Sequence, residues 1–204
     1  MTRRRTAGWA ALAAGLSASV AGVALLLQPG RPPADEGSVP VAAVASPSAP
    51  LVDAAPQPWA PPTRVTIGAL KVDAPVDAVG VEPGGALVVP ENPARLGWWI
   101  GSATPGSPRG TVVVAGHVDT AADGPGALFR LETLPLGATV QVRAGDRVVT
   151  YRTVARRSYA KERLPADLFA AGGAPRLALV TCGGTFHNGV YSHNVVVYAE
   201  PASA

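Results

Sequence analysis

Residues 139–159 read TVQVRAGDRVVTYRTVARRSY. Polar and apolar residues alternate through both halves, and Thr and Val recur, which is the pattern of two half-buried strands. Ala144-Gly145-Asp146-Arg147 lies between them and reads as a tight hairpin. The same period of two extends outward along the chain. RVTIGALKV (64–72), APVDAVGV (74–81), ALVVP (86–90), TVVVAGHV (111–118), LALVTC (177–182) and YSHNVVVYA (191–199) are all predicted strands, divided by Gly, Pro and Asp clusters. Only ALFRLETL (127–134) and KERLPADLFAAG (161–172) suggest short helical turns. Eight strands within residues 63–204, with no long helices alternating between them, predict an all-β barrel or sandwich.

Composition agrees with that reading once the chain is divided. Among 204 residues there are 23 glycines and 21 prolines, with only 15 % charged side chains, which excludes a coiled coil or long helical bundle. The mean hydropathy of +0.22 is high, and its source is local. Residues 7–27, AGWAALAAGLSASVAGVALLL, form an uncharged run of 21 residues. As a helix it would be about 31 Å long, matching the hydrocarbon thickness of a bilayer.

Arg3, Arg4 and Arg5 precede the run, so the positive-inside rule puts residues 1–6 in the cytoplasm and the rest of the chain outside. A single-pass anchor is the expectation. A cleaved signal peptide is the competing reading, but its small-residue motif Ala43-Val44-Ala45 lies 16 residues beyond Leu27. Residues 28–62 hold ten of the prolines and read as a semi-extended, disordered spacer. Residues 63–204 are then the globular domain. The net charge of +3 is too small to imply a nucleic-acid partner.

The chain has one cysteine, which excludes an internal disulfide framework and any multi-cysteine metal site. Cys182 ends the apolar strand LALVTC and precedes Gly183-Gly184. It is a buried small hydrophobe, half of an intermolecular pair, or a reactive thiol; its place at a strand end favours the last. A thiol nucleophile needs a base or a cation nearby. His117 ends another apolar strand, TVVVAGHV, and two adjacent strand ends would bring the pair within reach. His187 and His193 read as surface histidines. His117 and Asp119 show no metal-ligand spacing, so no metal and no cofactor are expected.

AGHVDT, then a strand ending LVTCGG about 65 residues later, then NVVVYA, in this order on an anchored β-domain, resembles the sortase family, most closely its class F and class E members of high-GC Gram-positive bacteria. The resemblance spans residues 63–204. It implies a closed eight-stranded β-barrel outside the cell, acting as a cysteine transpeptidase. Cys182 would cleave an LPxTG-like sorting signal at the C-terminal end of secreted proteins and hold the acyl group as a thioester. An amine of a cell-wall precursor or pilin would resolve it, with peptidase activity as a side reaction.

In that scheme His117 is the acid and base, and Thr181 helps position substrate. Sortases carry an arginine near the start of the last strand, whereas residues 183–199 here contain neither Arg nor Lys. Asn194, or Ser192 in another alignment, occupies that place. Three readings stay open: Asn194 substitutes as a neutral donor, Arg130 or Arg152 reaches in from elsewhere with Arg130 the first choice, or the enzyme is impaired.

Other cysteine enzymes fit less well. Papain-like peptidases place the cysteine before the histidine at the start of a helix, and L,D-transpeptidases follow an S-x-G-C pattern that LVTCGGTF lacks. The alternative of a different class is a non-catalytic, or impaired, extracytoplasmic β-module that binds cell-wall polymer or protein, with an unreactive Cys182.

Overall fold

The computed structural model describes residues 32–39, 60–83 and 85–202. Eight strands carry the fold: β1 Pro62–Ile67, β2 Val72–Val79, β3 Leu96–Trp99, β4 Thr111–Ala115, β5 Thr139–Ala144, β6 Arg147–Ala160, β7 Arg176–His187 and β8 Val190–Pro201. They pair in the order β6-β8-β7-β4-β3-β2-β1-β5, and β5 returns to β6, so the sheet closes into a barrel. Closure gives every strand a neighbour on each side, although the later halves of β6 and β7 extend past their pairing with β5 and β4. The β4–β7 and β2–β3 pairs are parallel, and the others are antiparallel. The hairpin read from residues 144–147 forms, with Ala144 opposite Arg147.

Alternation sorts the side chains onto two faces. Val65, Ile67, Leu96, Val112, Val114, Val140, Val142, Leu177, Leu179 and Val197 come from six of the strands and meet in one cluster, the barrel interior. Leu128, Leu131 and Leu134 join it from the turn around Leu131–Thr133. Val113, Ala115, Ala178, Val180, Val196 and Tyr198 face the other way into a second cluster, closed by Leu164 and Leu168. Those last two belong to the segment read as a helical turn, which makes a 3-10 turn at Ala166–Phe169. Strands β4 and β7 are therefore buried on both faces, which is why they are uninterrupted apolar runs.

Two sequence expectations need correcting. Residues 86–90 do not form a strand; a single bridge links Val81 to Leu87. Strand β3 was not anticipated, because LGWW is too short to show a period.

The expected membrane anchor at 7–27 lies outside the described residues, as does most of the spacer. Its described part is docked rather than free. Glu36 and Gly37 pair with Arg156 and Ala155 on the stretch of β6 beyond its pairing with β5. Glu36 also meets the Arg156 guanidinium at 2.7 Å, and Ser158 N–H donates to Asp35. Proline spacing alone did not reveal that an open strand edge would accept Asp35-Glu36-Gly37 as a partner.

Candidate active site

Cys182 lies on β7 on the same face as the second cluster, because alternation from Ala178 and Val180 carries it there. Parallel pairing of β7 with β4 runs from Arg176 opposite Thr111 to Val180 opposite Ala115, a constant offset of 65 residues. The same offset makes His117 the counterpart of Cys182. Two hydrogen bonds carry the register past the end of β4. Gly116 N–H donates to the Val180 carbonyl at 3.0 Å, and Thr181 Oγ1 donates to the Gly116 carbonyl at 2.8 Å. Thr181 is 5 % exposed, so this second bond is shielded from water.

The His117 ring is held by its far side. Nε2 lies 3.0 Å from the Pro90 carbonyl. A carbonyl only accepts, so Nε2 carries the hydrogen and Nδ1 is the nitrogen left to exchange a proton. The irregular 86–90 segment thus orients the histidine, although it forms no strand. Gly126 closes the other side, since a Cβ there would stand 2.4 Å from the His117 carbonyl oxygen.

On the opposite flank of Cys182 stands a cation that sequence reading passed over. Cys182 pairs with Asn194 on β8, and Asn194 pairs with Tyr159 on β6. Lys161 follows the end of β6 and reaches back across this row. Its Nζ donates to Cys182 Sγ at 3.0 Å and to Asn194 Oδ1 at 3.0 Å. A turn sets its direction: Arg163 N–H bonds the Ala160 carbonyl at 3.0 Å with Glu162 at φ 66°, and Lys161 N–H bonds the Ser192 carbonyl.

That turn opens the segment pinned on the second cluster by Leu168. Arg176, itself buried, also pins it through a 3.0 Å ion pair with Asp167. The signal for Lys161 was a lysine placed where a long strand ends. Its significance depends on β6 and β7 flanking β8, which residue spacing does not reveal.

The remaining candidates fall in different places. Asn194 lies directly opposite Cys182, and its amide oxygen accepts from Lys161. Arg130 is exposed and lines a cleft of about 360 Å³ together with Gly183, Gly184, Val118 and Tyr191. It stands beside the strand leaving Cys182, while the side chain bonded to the thiol is that of Lys161.

Arg152 donates to the Gly137 carbonyl at the far end of β6, away from the site. Ser192 Oγ accepts from Thr185 N–H and contacts His193 Nδ1, and His187 is exposed on the β7–β8 hairpin. Gly184, at φ 78°, sits in the irregular stretch where β7 pairs unevenly with β8; a Cβ there would meet Ser192 Oγ at 2.5 Å. Tyr191 donates to Asp119 at 2.7 Å, and burial first, then that carboxylate, pushes its phenol up to about 12. Among the described residues, no group of three or more His, Cys, Asp or Glu could hold a metal ion.

The molecule is a closed β-barrel whose adjacent parallel strands β4 and β7 lead to His117 and Cys182. The Sortase domain family matches residues 65–202, and the chain belongs to the sortase family. Similar solved structures are sortases of the A and C types. Sortase C-1 from Actinomyces oris is 21 % identical with a TM-score of 0.55, over 69 % of this chain and 73 % of that one. Sortase C1 from Streptococcus agalactiae is 20 % identical with a TM-score of 0.54, over 70 % and 67 %. A lid mutant of sortase A from Corynebacterium diphtheriae is 19 % identical with a TM-score of 0.54, over 69 % of each chain. At such identities the likeness is one of fold. No curated protein matches the sequence.

Proposed function

We propose that this sortase is a membrane-anchored cysteine transpeptidase, of the class F or E type, that cuts an LPxTG-like sorting signal and passes the acyl group to an amine. What supports the reading is the 65-residue offset between β4 and β7, which the Thr181–Gly116 hydrogen bond carries to the residues just before Cys182 and His117. Cys182 Sγ attacks the carbonyl carbon of the scissile Thr–Gly bond. As the C–N bond breaks, His117 supplies a proton to the departing glycine amine, leaving a thioester. An incoming amine of cell-wall precursor or pilin gives its proton to His117, forms the new amide and releases the sulfur. Water in place of the amine yields the hydrolysed acid.

The full chain, incubated with LPxTG-like peptides and a glycine-based amine, tests this. Mass spectrometry should find the acyl group on Cys182 and an amide product that Cys182→Ala does not make. Absence of both, with Cys182 unreactive to alkylators until denaturation, would establish the non-catalytic β-module instead. In this reading residues 7–27 hold the chain in the membrane, with the barrel outside. Protease treatment of intact cells should then remove the barrel and spare a cytosolic marker.

A further inference from the structure

We propose that Lys161 is a catalytic residue of this site: its ammonium is the counter-charge of the Cys182 sulfur and the donor that stabilises the oxyanion formed during acyl transfer. The inference rests on Cys182 being the nucleophile. Lys161 Nζ lies 3.0 Å from Sγ and 3.0 Å from Asn194 Oδ1, so two of its three hydrogens are directed. The third is left for the carbonyl oxygen of a substrate bonded to Sγ. That oxygen is two bonds from the sulfur, within reach of a group already in contact with it.

Several observations separate this contact from an accidental one. Lys161 is half-buried, and its backbone is fixed by hydrogen bonds to Ser192 and by the 160–163 turn. Asn194 can turn only its oxygen towards an ammonium, since its NH₂ group cannot accept, so the pair orients itself. The titratable groups in reach of the sulfur are Lys161 and Tyr191, the latter bonded to Asp119, and the β4–β7 register adds His117 from the neighbouring strand end.

Lys161 thus meets the sulfur from the β8 side, while the β4–β7 register sets His117 on the β4 side. When Sγ attacks, negative charge moves from sulfur to the carbonyl oxygen, and Lys161 remains within reach of both. On collapse the C–N bond breaks, the amine takes its proton from His117, and Lys161 keeps all of its own protons. It contributes charge and geometry rather than a proton. Asn194 is a positioning residue that acts through Lys161.

The test uses the full chain with Lys161→Met, Lys161→Arg and Asn194→Ala. It has two readouts: alkylation of Cys182 by iodoacetamide at pH 7, and cleavage of an LPxTG-like peptide. Lys161→Met should slow alkylation by about tenfold or more and lower kcat by about 10²–10³-fold. Lys161→Arg should restore most of the alkylation rate, because the charge is kept. Asn194→Ala should lower kcat with KM little changed.

Alkylation and cleavage at wild-type rates in Lys161→Met would overturn the proposal. So would slow alkylation in Lys161→Arg equal to that in Lys161→Met, which would mean packing rather than charge. If the wild type cleaves no peptide, the transpeptidase reading fails on its own, and the alkylation rates still decide whether Lys161 acts on the thiol.

Discussion

Thr181 donates its hydroxyl to the Gly116 carbonyl at 2.8 Å, and each of these residues stands immediately before a member of the site, Cys182 and His117. The bond crosses from β7 to β4 just past the last paired residues, Val180 and Ala115. It locks the two strand ends together where the regular ladder stops. Thr181→Val keeps the volume and removes the donor, leaving a buried carbonyl short of a partner. We expect a loss of about 1–2 kcal/mol in urea unfolding. We also expect a fall in kcat larger than that loss explains, because His117 drifts from its level with Cys182. Wild-type kcat in a destabilised variant would show that the bond holds the fold and not the site.

Gly126 tests the placement of His117 from the other side. A methyl group there would press on backbone, the His117 carbonyl oxygen at 2.4 Å and its carbon at 2.9 Å, with no flexible side chain to yield. Gly126→Ala should therefore displace His117, and an error of about 1 Å costs on the order of 10²-fold in rate. The measurement is kcat for peptide transfer, with thermal melting to confirm that the barrel persists. Retention of wild-type kcat would place the acid and base elsewhere.

Arg176 holds the segment that begins at Lys161. Its guanidinium bonds Thr111 Oγ1 at 2.8 Å and the Asp167 carbonyl at 2.8 Å, and lies 5.2 Å from the centre of the Tyr198 ring. Arg176→Met preserves the stem and deletes these donors. A destabilisation of about 1–3 kcal/mol is expected from the acceptors left behind, together with slower alkylation of Cys182 as the 161–172 segment loosens. Hydrogen exchange across that segment should quicken, and unchanged exchange would count against the anchoring role.

Alkaline pH should destabilise the barrel in a defined window. Burial pushes the Tyr151 phenol up to about 12, against an ordinary value of 10.0. The folded state keeps this proton after the unfolded chain has lost it. The contribution is therefore complete below pH 10 and disappears as pH rises through about 12. The expected slope from this one group is about 1.4 kcal/mol per pH unit. Tyr151→Phe should flatten it in urea titrations between those limits, and an unchanged slope would mean that other groups govern alkaline unfolding.

Much of the fold was legible because barrel strands leave local marks. The alternation in 139–144 and 147–159 placed β5 and β6 to within a residue, and the apolar runs at 111–115 and 177–182 announced strands that the structure buries on both faces. Strand β3 and the irregular 86–90 segment escaped, since four residues carry no period and an apolar run can serve as a loop. Cys182 and His117 stood out because each sits where such a run gives way to polar residues or glycine, and Thr181 through the family resemblance. Asn194 was singled out as the slot of the family arginine and a neutral donor, whereas in the structure it lies opposite Cys182 and its amide oxygen accepts from Lys161.

The sequence by itself determined the all-β class, the hairpin at 144–147, and which thiol and imidazole end apolar runs, for these follow from period and order along the chain. Only the tertiary structure decided which charge meets the thiol. Arg130 follows the histidine loop and yet lines the neighbouring cleft, whereas Lys161, 21 residues before Cys182, lies 3.0 Å from it. The reason is physical. Strand order within a closed sheet is set by non-local pairing, and β8, the last strand in the chain, lies between β6 and β7. A residue at the end of β6 becomes a neighbour of Cys182 across Asn194, a relationship that no spacing along the chain encodes.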